Sequence, residues 1–383
     1  MRIGLDAIPL TEERAGVGHY TFELARALAR LSPEGEFRLL YPSSFEPVRL
    51  GESESASLPS NLRLERVRVG SLGRHWWSLG LPRRLRRLGL ALFHGTNYDV
   101  PLWGRCAKAL TIHDLSLLLR PDTHEERRVS RARRRLPLMT RAADALIVPT
   151  ESVRREVCEH LGVAPEKVFA VPEAARECFR PLAFGETEEA RRRLGVGDEF
   201  LLAVGTIEPR KNLPALVRAF GEVVRERPRS DLQLVIAGGR GWLSGPLSAA
   251  IEESHARQRV HFVGYVPDET LRALYSSCRA FVYPSFYEGF GLPPLEAMSC
   301  GAPVVAGRTP AVAEVTGGAA RLVNPESPRE IAEALIELLD SEEARRRLSE
   351  AGLRRASGFS WERTARMTSE VYEEALKRRR GRE

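Results

Sequence analysis

The sequence predicts an α/β protein of two tandem domains, each a doubly wound parallel β-sheet with helices on both faces. The chain has 383 residues, enough for two domains of about 150 to 200 residues each. Short apolar runs typical of buried strands alternate with amphipathic helical segments, and this alternation is typical of parallel sheets. The pattern starts again after a charged stretch that contains Pro and Gly. We therefore predict a first domain at 1–175, a connection at 176–198 and a second domain at 199–359.

The first half begins with a strand, Arg2 to Ile8, followed by Ala15-Gly16-Val17-Gly18 and an amphipathic helix. A strand, a Gly-rich loop and a helix in this order open many dinucleotide-binding domains. This fingerprint is incomplete, because it lacks a third glycine and an acidic residue about 20 residues further on, and a dehydrogenase is therefore disfavoured. Later strands are predicted at Phe37–Tyr41, Leu62–Val69, Ala91–Phe93, Ala109–Ile112, Ala145–Val148 and Lys167–Pro172, and helices at Trp76–Leu88, His124–Arg141 and Ser152–His160.

The second half repeats the same alternation of strands and helices. Strands are predicted at Phe200–Val204, Leu232–Ala237, Val260–Val263, Ala280–Tyr283 and Pro303–Ala306. Helices are predicted from Leu213 and at Pro246–His255, Glu269–Ser276, Pro294–Met298, Pro328–Leu339 and Glu342–Arg355. A short helix at Thr187–Leu194 interrupts the connection, and Ser360 is the predicted N-cap of a last helix at about 360–380.

The composition indicates a globular protein of a reducing compartment. The chain is 43% hydrophobic and 28% charged, and it has no apolar run near the roughly 20 residues that cross a bilayer. It opens directly with a predicted strand, so we expect no signal peptide. The five cysteines are odd in number and scattered without a Cys-x-x-Cys pair. This argues against a disulfide framework or a zinc site and for the cytoplasm.

The most informative stretch is residues 285–296, which follow the predicted strand Ala280–Tyr283. A Gly-rich turn that leads into a helix presents N–H donors and the positive end of the helix dipole, so it suits a phosphate or sugar hydroxyls. Glu288 and Glu296 bracket this turn with seven residues between them, and we expect Glu296 in the first helical turn. Since a carboxylate accepts hydrogen bonds from both hydroxyls of a diol, the stretch predicts a nucleotide sugar as ligand. Two solvated surface glutamates are an equally good interpretation of this stretch by itself.

Cations and histidines at other predicted strand ends point to the same chemistry. Arg210 and Lys211 follow the strand Phe200–Val204, and adjacent cations can neutralise a diphosphate leaving group. An isolated Arg-Lys dipeptide has no function in most proteins. His94 and His113 follow neighbouring strands of the first half. Because ligands of doubly wound sheets bind outside the carboxyl ends of the strands, two histidines there favour a site over structural caps.

These segments resemble glycosyltransferase family 4, and the resemblance spans nearly the whole chain. The stretch 285–296 resembles the paired-glutamate signature of the family, and Gly205–Asn212 resembles its diphosphate-binding segment. Thr111–Asp114 is similar to the segment that carries a histidine beside the reacting sugar. Val263–Val266 is similar to the segment that meets the nucleobase.

The resemblance implies the GT-B fold, with two Rossmann-like domains, an interdomain cleft and a last helix that packs back on the first domain. It implies that the first domain binds the acceptor and that the second binds a nucleotide-sugar donor. Transfer of a hexose would retain the anomeric configuration, with His113, Glu288, Arg210 and Lys211 as catalytic residues and Glu296 at the ribose. The other residues that it places at the donor are Gly16, Gly18, Gly205, Tyr265, Val266, Gly289, Phe290, Gly291 and Leu292.

The resemblance also implies the class of donor and acceptor. The residues of Gly205–Asn212 are typical of members that resemble mannosyltransferases of bacterial polysaccharide assembly, so we expect GDP-mannose, with a UDP-sugar as the alternative. The acceptor would be a glycan or a lipid-linked glycan of the cell envelope. The sequence contains no Asp-x-Asp pair of the kind that holds a divalent cation on the diphosphate, so we expect no metal requirement. A nucleotide-sugar hydrolase or epimerase and a non-catalytic binding protein of the same fold are the competing functions.

The net charge is +7 and arginine supplies most of the positive charge. Two segments, Arg74–Arg87 and Arg127–Arg135, combine arginines with apolar residues, and the first contains Trp76 and Trp77. Such segments suit an anionic membrane surface, and we expect peripheral contact with the inner leaflet of the plasma membrane. Solvated helix faces are nearly as good an interpretation. Nucleic acid is disfavoured because no recognition module accompanies the charge.

Overall fold

Parallel strands form both sheets of the computed structural model, which describes residues 1–12, 16–51, 54–55, 57–69, 75–239 and 245–381. The chain divides into two compact units. The first unit comprises Met1–Leu119, Glu126–Glu173 and Ser360–Glu383, and the second comprises Arg120–Glu125 and Ala174–Phe359. Among the described residues, no helix is both long and apolar enough to span a bilayer.

The first unit contains a seven-stranded sheet in which every neighbouring pair is parallel. Its strands are β1 (Arg2–Asp6), β2 (Glu36–Pro42), β3 (Leu62–Val67), β4 (Leu92–Gly95), β5 (Ala107–Thr111), β6 (Ala145–Val148) and β7 (Val168–Ala170). The order across the sheet is β3-β2-β1-β4-β5-β6-β7. The chain therefore changes direction across the sheet between β1 and β4, which is the switch point where such sheets bind ligands.

Six α-helices of the first unit lie in the part of the chain that the structure describes. They are α1 (Gly16–Leu31), α2 (Leu81–Leu88), α3 (Ser116–Leu119), α4 (Glu126–Ala142), α5 (Glu151–Leu161) and the last helix, α14 (Trp361–Arg380). The Ser360 side chain accepts a hydrogen bond from the Arg363 N–H and caps α14, as the sequence predicts. The Thr364 hydroxyl donates to the Pro172 carbonyl at 2.7 Å, and α14 packs on α1, β5 and β6.

The second unit contains a six-stranded parallel sheet in the order β10-β9-β8-β11-β12-β13. Its strands are β8 (Phe200–Val204), β9 (Gln233–Ala237), β10 (Val260–Gly264), β11 (Ala280–Tyr283), β12 (Val304–Gly307) and β13 (Arg321–Val323). Its helices are α6 (Phe184–Arg193), α7 (Leu213–Glu226), α8 (Gly245–Glu253), α9 (Asp268–Ser277), α10 (Leu292–Ser299), α11 (Pro310–Thr316), α12 (Pro328–Asp340) and α13 (Glu342–Ala356). The switch point of this sheet lies between β8 and β11.

Both faces of the second sheet are buried, which explains why its strands are almost continuously apolar. Phe200 and Leu202 of β8 belong to an apolar cluster on one face, and Leu201 and Ala203 belong to a second cluster on the other. This alternation follows the period of two residues in a strand. Helices therefore cover both faces, and the carboxyl ends of β8 and β11 are left as the place for a site.

The glycines predicted to form a loop after β1 are helical instead. Gly16 and Gly18 lie in the first turn of α1, and Ala15 lies outside the described residues. Each glycine costs a helix about 1 kcal/mol relative to alanine. The burial of Tyr20 and Leu24 on the same helix offsets that cost, because packing of an apolar face outweighs local preference.

Short elements account for the other differences from prediction. The predicted strand Lys167–Pro172 is shortened to β7, because Pro165–Lys167 form a 3₁₀ turn before it. Helix α11 and strand β13 were not predicted from the sequence. The helix has seven residues and the strand has three, too few to show a periodic pattern.

The two tryptophans of the first basic segment pack against the core of the first unit, Trp76 fully and Trp77 in part. Residues Trp76–Gly80 form a π-helical turn before α2, and Trp76 is 4% exposed within an apolar cluster that includes Leu40 and Phe93. Trp77 is half-buried, with its ring centroid 6.4 Å from that of Phe93. Arg74 lies outside the described residues. Trp76 is therefore a core residue, and membrane contact through this segment stays a prediction.

Candidate active site

Glu288 lies in the turn that joins β11 to α10. Gly291 ends this turn with φ of +109°, a left-handed conformation that glycine adopts without strain, and it forms the N-cap of α10. Pro293 and Pro294 follow in the first helical turn, where a missing N–H breaks no helical hydrogen bond. They also reduce the number of N–H donors that this helix end can present, below the number expected of a Gly-rich turn. The turn leaves Glu288 only 8% exposed.

Arg210 and Lys211 both bind the Glu288 carboxylate. An Arg210 terminal nitrogen lies 2.6 Å from Glu288 Oε2, and Lys211 Nζ lies 2.8 Å from Glu288 Oε1. The second terminal nitrogen of Arg210 lies 2.7 Å from the Glu208 carboxylate. Lys211 Nζ also donates to the Tyr283 hydroxyl at 2.7 Å. Two cations and two carboxylates thus form one ion-paired cluster in the second unit.

The strand order explains why these distant residues meet. Arg210 and Lys211 lie in a 3₁₀ turn after β8, and Glu288 follows β11, so the cluster sits at the carboxyl ends of the two strands that flank the switch point. Asn212, at φ of +56°, donates its side-chain amide to the Pro284 carbonyl at 3.2 Å and to the Pro325 carbonyl at 2.6 Å. These bonds fix the β8 turn against the residues that follow β11 and β13.

Burial and the neighbouring charges shift the pKa values of Glu288 and Lys211 in opposing ways. Burial alone would raise the pKa of the Glu288 carboxyl, but Arg210 and Lys211 outweigh it and hold that pKa at about 2. Burial lowers the pKa of Lys211, and the attraction of Glu288 opposes it. Glu288 is therefore ionised at any pH above strong acid and offsets part of the positive charge of the two cations beside it.

Glu296 belongs to a separate ion-paired cluster. It is the fifth residue of α10 and lies in the second turn, not in the first turn as predicted. Its Oε1 accepts a hydrogen bond from Arg176 Nε at 3.0 Å, and an Arg176 terminal nitrogen lies 2.5 Å from Asp268 Oδ1. The Arg176 guanidinium also lies over the Phe179 ring, 4.5 Å from its centroid. No motif in the sequence singled out Arg176, which comes from the charged connecting stretch.

The remaining predicted donor residues of the second unit occupy three different places. Gly205 follows β8 at φ of +144°, and a Cβ there would meet Lys211 Cε at 3.3 Å. The Phe290 side chain is buried against Phe359, with ring centroids 6.0 Å apart, so it belongs to the core. Tyr265 and Val266 follow β10, the edge strand, which β9 separates from β8. Gly289 and Leu292 flank Phe290 and Gly291 in the turn already described.

His113 follows β5 in the first unit and has both ring nitrogens engaged. Its Nε2 lies 2.8 Å from the Thr96 carbonyl oxygen, and its Nδ1 lies 3.2 Å from Glu173 Oε1. The Tyr20 ring packs edge-on against it, with centroids 4.8 Å apart. Glu173 is a partner that the sequence did not suggest, because 60 residues separate it from His113.

His94 has a structural role, contrary to the interpretation of two site histidines. It is fully buried and lies 2.7 Å from the Tyr372 hydroxyl of α14 and 2.7 Å from the Thr111 hydroxyl of β5. Burial lowers its pKa to about 3, with a smaller contribution from His113, so the ring is neutral. The hydroxyl of Tyr20 continues the network, 2.9 Å from the Thr111 hydroxyl. This buried network joins α1, β4, β5 and α14.

Asp6 is a further buried acidic residue at the switch point of the first sheet. It ends β1, and its Oδ1 accepts a hydrogen bond from the Ile8 N–H at 3.1 Å. Burial raises its pKa to about 8. In the part of the chain that the structure describes, no three His, Cys, Asp or Glu side chains come together as a metal site.

Known proteins share both the sequence and the fold of this chain. Residues 14–174 match the family model described as Glycosyltransferase Family 4, and residues 186–355 match that described as Glycosyl transferases group 1. The chain is 30% identical over 387 residues to O-antigen chain mannosyltransferase B of Escherichia coli, covering 97% of this chain and 99% of that protein.

Solved structures match over the same length. Sucrose-phosphate synthase from Thermosynechococcus elongatus has a TM-score of 0.76 at 22% identity, covering 97% of this chain and 98% of that one. Anabaena HepE in complex with UDP-glucose has a TM-score of 0.74 at 17% identity, covering 97% and 98%. At these identities the likeness shows the fold, which is GT-B, and the predicted fold class and family are confirmed. The chain therefore belongs to glycosyltransferase family 4 and is a glycosyltransferase with the GT-B fold.

Proposed function

We propose that this enzyme transfers a hexose, with retention of anomeric configuration, from a nucleotide sugar bound at the switch point of the second sheet. The observation that carries the proposal is the cluster of Arg210, Lys211 and Glu288 at the ends of β8 and β11. Two partly exposed cations side by side suit a diphosphate, because a guanidinium and an ammonium stabilise the charge that develops as it leaves. Glu288 would hold hydroxyls of the transferred sugar, and Glu296 those of the ribose.

In the proposed reaction, the bond between the anomeric carbon and the diphosphate oxygen breaks, and a bond from that carbon to an acceptor hydroxyl oxygen forms on the same face. The acceptor proton passes to the departing diphosphate oxygen. Arg210 and Lys211 would stabilise the leaving group, so the route needs no divalent metal. The Thr96 carbonyl and the Glu173 carboxylate hold both ring nitrogens of His113, so His113 would donate to the reacting sugar by exchanging one of these partners for it.

We propose GDP-mannose as the donor. The support is the similarity over nearly the whole chain to a protein named as an O-antigen chain mannosyltransferase. HepE was solved with UDP-glucose, but at 17% identity it supports the fold and not the donor. A polysaccharide of the cell envelope, grown on a glycan or a lipid-linked glycan, is the corresponding acceptor.

Thermal shift and turnover together test this donor. GDP-mannose should raise the melting temperature of the wild type, because a ligand that binds the folded state stabilises it. UDP-glucose and UDP-N-acetylglucosamine are the comparison donors. Nucleotide release should depend on an added acceptor. Stabilisation by UDP-sugars without any by GDP-mannose would refute the choice of donor, and acceptor-independent release would indicate a hydrolase.

We further propose that the enzyme works in the cytoplasm against the inner face of the plasma membrane, through α4. Arg127, Arg131, Arg134, Leu138 and Arg141 are spaced by four, three, four and three residues, so they share one helix face. Leu138 is 48% exposed, and none of the acidic side chains in the described ranges pairs with these four arginines. Each arginine near an anionic leaflet contributes about 1 kcal/mol of binding.

Flotation with liposomes tests the membrane contact. The wild type should float with vesicles that contain phosphatidylglycerol at low salt and should be released at high salt. Glu substitutions at Arg131 and Arg134 should abolish flotation, whereas Glu substitutions at Arg128 and Arg133, on other faces of α4, should weaken it far less. Equal loss in both double variants would show that net charge, and not this face, determines binding.

A further inference from the structure

Arg176 is a buried cation that connects the chain leaving β7 to the candidate ribose side of the donor site. It lies in the stretch between β7 and α6, and its side chain is 9% exposed. Its Nε donates to Glu296 Oε1 at 3.0 Å, and a terminal nitrogen lies 2.5 Å from Asp268 Oδ1 at the start of α9. Burial alone would lower the pKa of Arg176, but Glu296 and Asp268 raise it above its ordinary value. Arg176 is therefore held in its charged form by two carboxylates.

Glu296 depends on that cation for its charge. It is 6% exposed in the middle of α10, and burial raises its pKa, opposed chiefly by Arg176. Asp268 adds a repelling negative charge. The other titratable groups near Glu296 are Tyr275 and Cys300, and burial raises the pKa of each, so both are neutral. Arg176 is thus the counter-charge that keeps Glu296 ionised.

We propose that Arg176 is a positioning residue of the nucleotide site, which keeps Glu296 a carboxylate and fixes its orientation for the ribose hydroxyls. The hydrogen bond from Arg176 engages Oε1, and Oε2 is the oxygen that accepts from the ligand. A protonated Glu296 would lose most of its value as an acceptor, since hydrogen bonds to a charged group are roughly twice as strong as neutral ones. This inference rests on the proposed placement of the ribose at Glu296.

The proposal predicts a specific kinetic pattern. Arg176→Met should raise the KM for the donor about tenfold with a smaller change in kcat, because the ribose does not react and its contacts are shared by ground and transition states. The increase in KM should be largest at low pH and should shrink as pH rises and Glu296 ionises. Arg176→Lys keeps the charge and should restore most of the donor affinity and the wild-type pH profile.

A double-mutant cycle separates this role from a general structural one. In Glu296→Gln the side chain at position 296 is neutral, so Arg176 has no carboxylate to keep ionised. Adding Arg176→Met to this variant should therefore raise the donor KM no further. The double variant also avoids a buried unpaired charge, and it is the form to use if Arg176→Met fails to fold. Arg272→Met is the matched control. Arg272 of α9 also contacts the stretch between β7 and α6, since it donates to the Arg180 carbonyl at 2.8 Å. The donor KM of Arg272→Met should stay unchanged.

The outcomes distinguish the proposed role of Arg176 from the proposed contact of Glu296 with the ribose. If Glu296→Gln raises the donor KM and Arg176→Met does not, the role of Arg176 is overturned and the ribose assignment stands. Additive effects in the double variant would likewise overturn it. If Glu296→Gln leaves the donor KM unchanged, the ribose assignment itself is wrong. Melting curves of all variants, measured without donor, report any loss of stability separately.

Discussion

Glu288→Gln is the substitution that best tests the central cluster, because stability, nucleotide binding and turnover should respond to it in different directions. The carboxylate sits between Arg210 and Lys211, at 2.6 and 2.8 Å, and is 8% exposed, so solvent screens the attraction little. The difference between its ordinary pKa of 4.5 and the pKa of about 2 in the folded protein corresponds to about 3 kcal/mol of stabilisation at neutral pH. Gln keeps the shape and a hydrogen-bond acceptor, so we expect a loss of about 2 to 3 kcal/mol.

The dependence on pH has a definite sign. A carboxyl group with a lowered folded pKa contributes stability above its unfolded pKa and loses that contribution as pH falls through the folded value. The stability difference between wild type and Glu288→Gln should therefore be full at pH 7, shrink below about pH 4.5 and fall to roughly half near pH 3. A difference that stayed constant from pH 7 to pH 3 would show that the loss comes from packing and not from charge.

Binding of a nucleoside diphosphate should change in the opposite direction. At the proposed site of the wild type, the diphosphate would compete with Glu288 for Arg210 and Lys211. In Glu288→Gln these adjacent cations lack that counter-charge and repel each other, so GDP should bind at least as tightly and raise the melting temperature by more. Turnover should nevertheless fall about a hundredfold, because the transferred sugar is no longer held in place and a misplacement of about 1 Å has that effect.

Differential scanning fluorimetry, calorimetric titration with GDP and UDP, and steady-state kinetics measure these three effects. Glu208→Gln is the control. Glu208 forms an ion pair with Arg210, its side chain is 28% exposed, and its loss of stability should be smaller. Weaker binding of both nucleoside diphosphates to a Glu288→Gln protein that still melts cooperatively would refute the reasoning. It would mean that Glu288 contacts the nucleotide directly and does not compete with it.

Three further predictions concern the same site. Arg210→Ala and Lys211→Ala should each lower turnover by about two to three orders of magnitude, the value of one donor that stabilises developing charge, and unchanged turnover at saturating donor would contradict the leaving-group role. Glu296→Gln should mainly raise the donor KM, as steady-state kinetics would show, and a loss of turnover as severe as that of Arg210→Ala with KM unchanged would reverse the assignment. Transfer should survive chelation of divalent cations by EDTA, and activity abolished by EDTA and restored by magnesium or manganese would show that the cations of this cluster are insufficient.

The parts of the fold and site that could be predicted are those that depend on a local pattern of apolar and turn residues in the sequence. The strands of the second sheet were located because both faces are buried, which makes each strand a short apolar run between turn residues. Arg210, Lys211 and Glu288 could be expected near one another because each directly follows such a strand. Their meeting depends only on strand order, which the rules for doubly wound sheets restrict to a few arrangements.

The parts that could not be predicted depend on contacts between distant segments. Arg176 and Glu296 are 120 residues apart, and Glu173 and His113 are 60 apart, and no periodic pattern links either pair. Trp76 beside arginines has the composition of an interfacial helix, but burial against the sheet decides its role. Local sequence shows which residues have suitable chemistry, whereas the position of each along folded elements decides whether that chemistry faces a core, a partner or a ligand.

If the donor binds as proposed, the charges of the central cluster require that it open this site before it can react. Arg210 and Lys211 are balanced by Glu208 and Glu288, so the four side chains together carry no net charge. A neutral sugar offers nothing to replace the carboxylates and leaves the cluster intact. A diphosphate carries enough negative charge to take over both cations, and its binding frees Glu288 to accept hydrogen bonds from the sugar hydroxyls. The same ion pairs that stabilise the folded protein without donor therefore make recognition of the sugar conditional on the diphosphate attached to it.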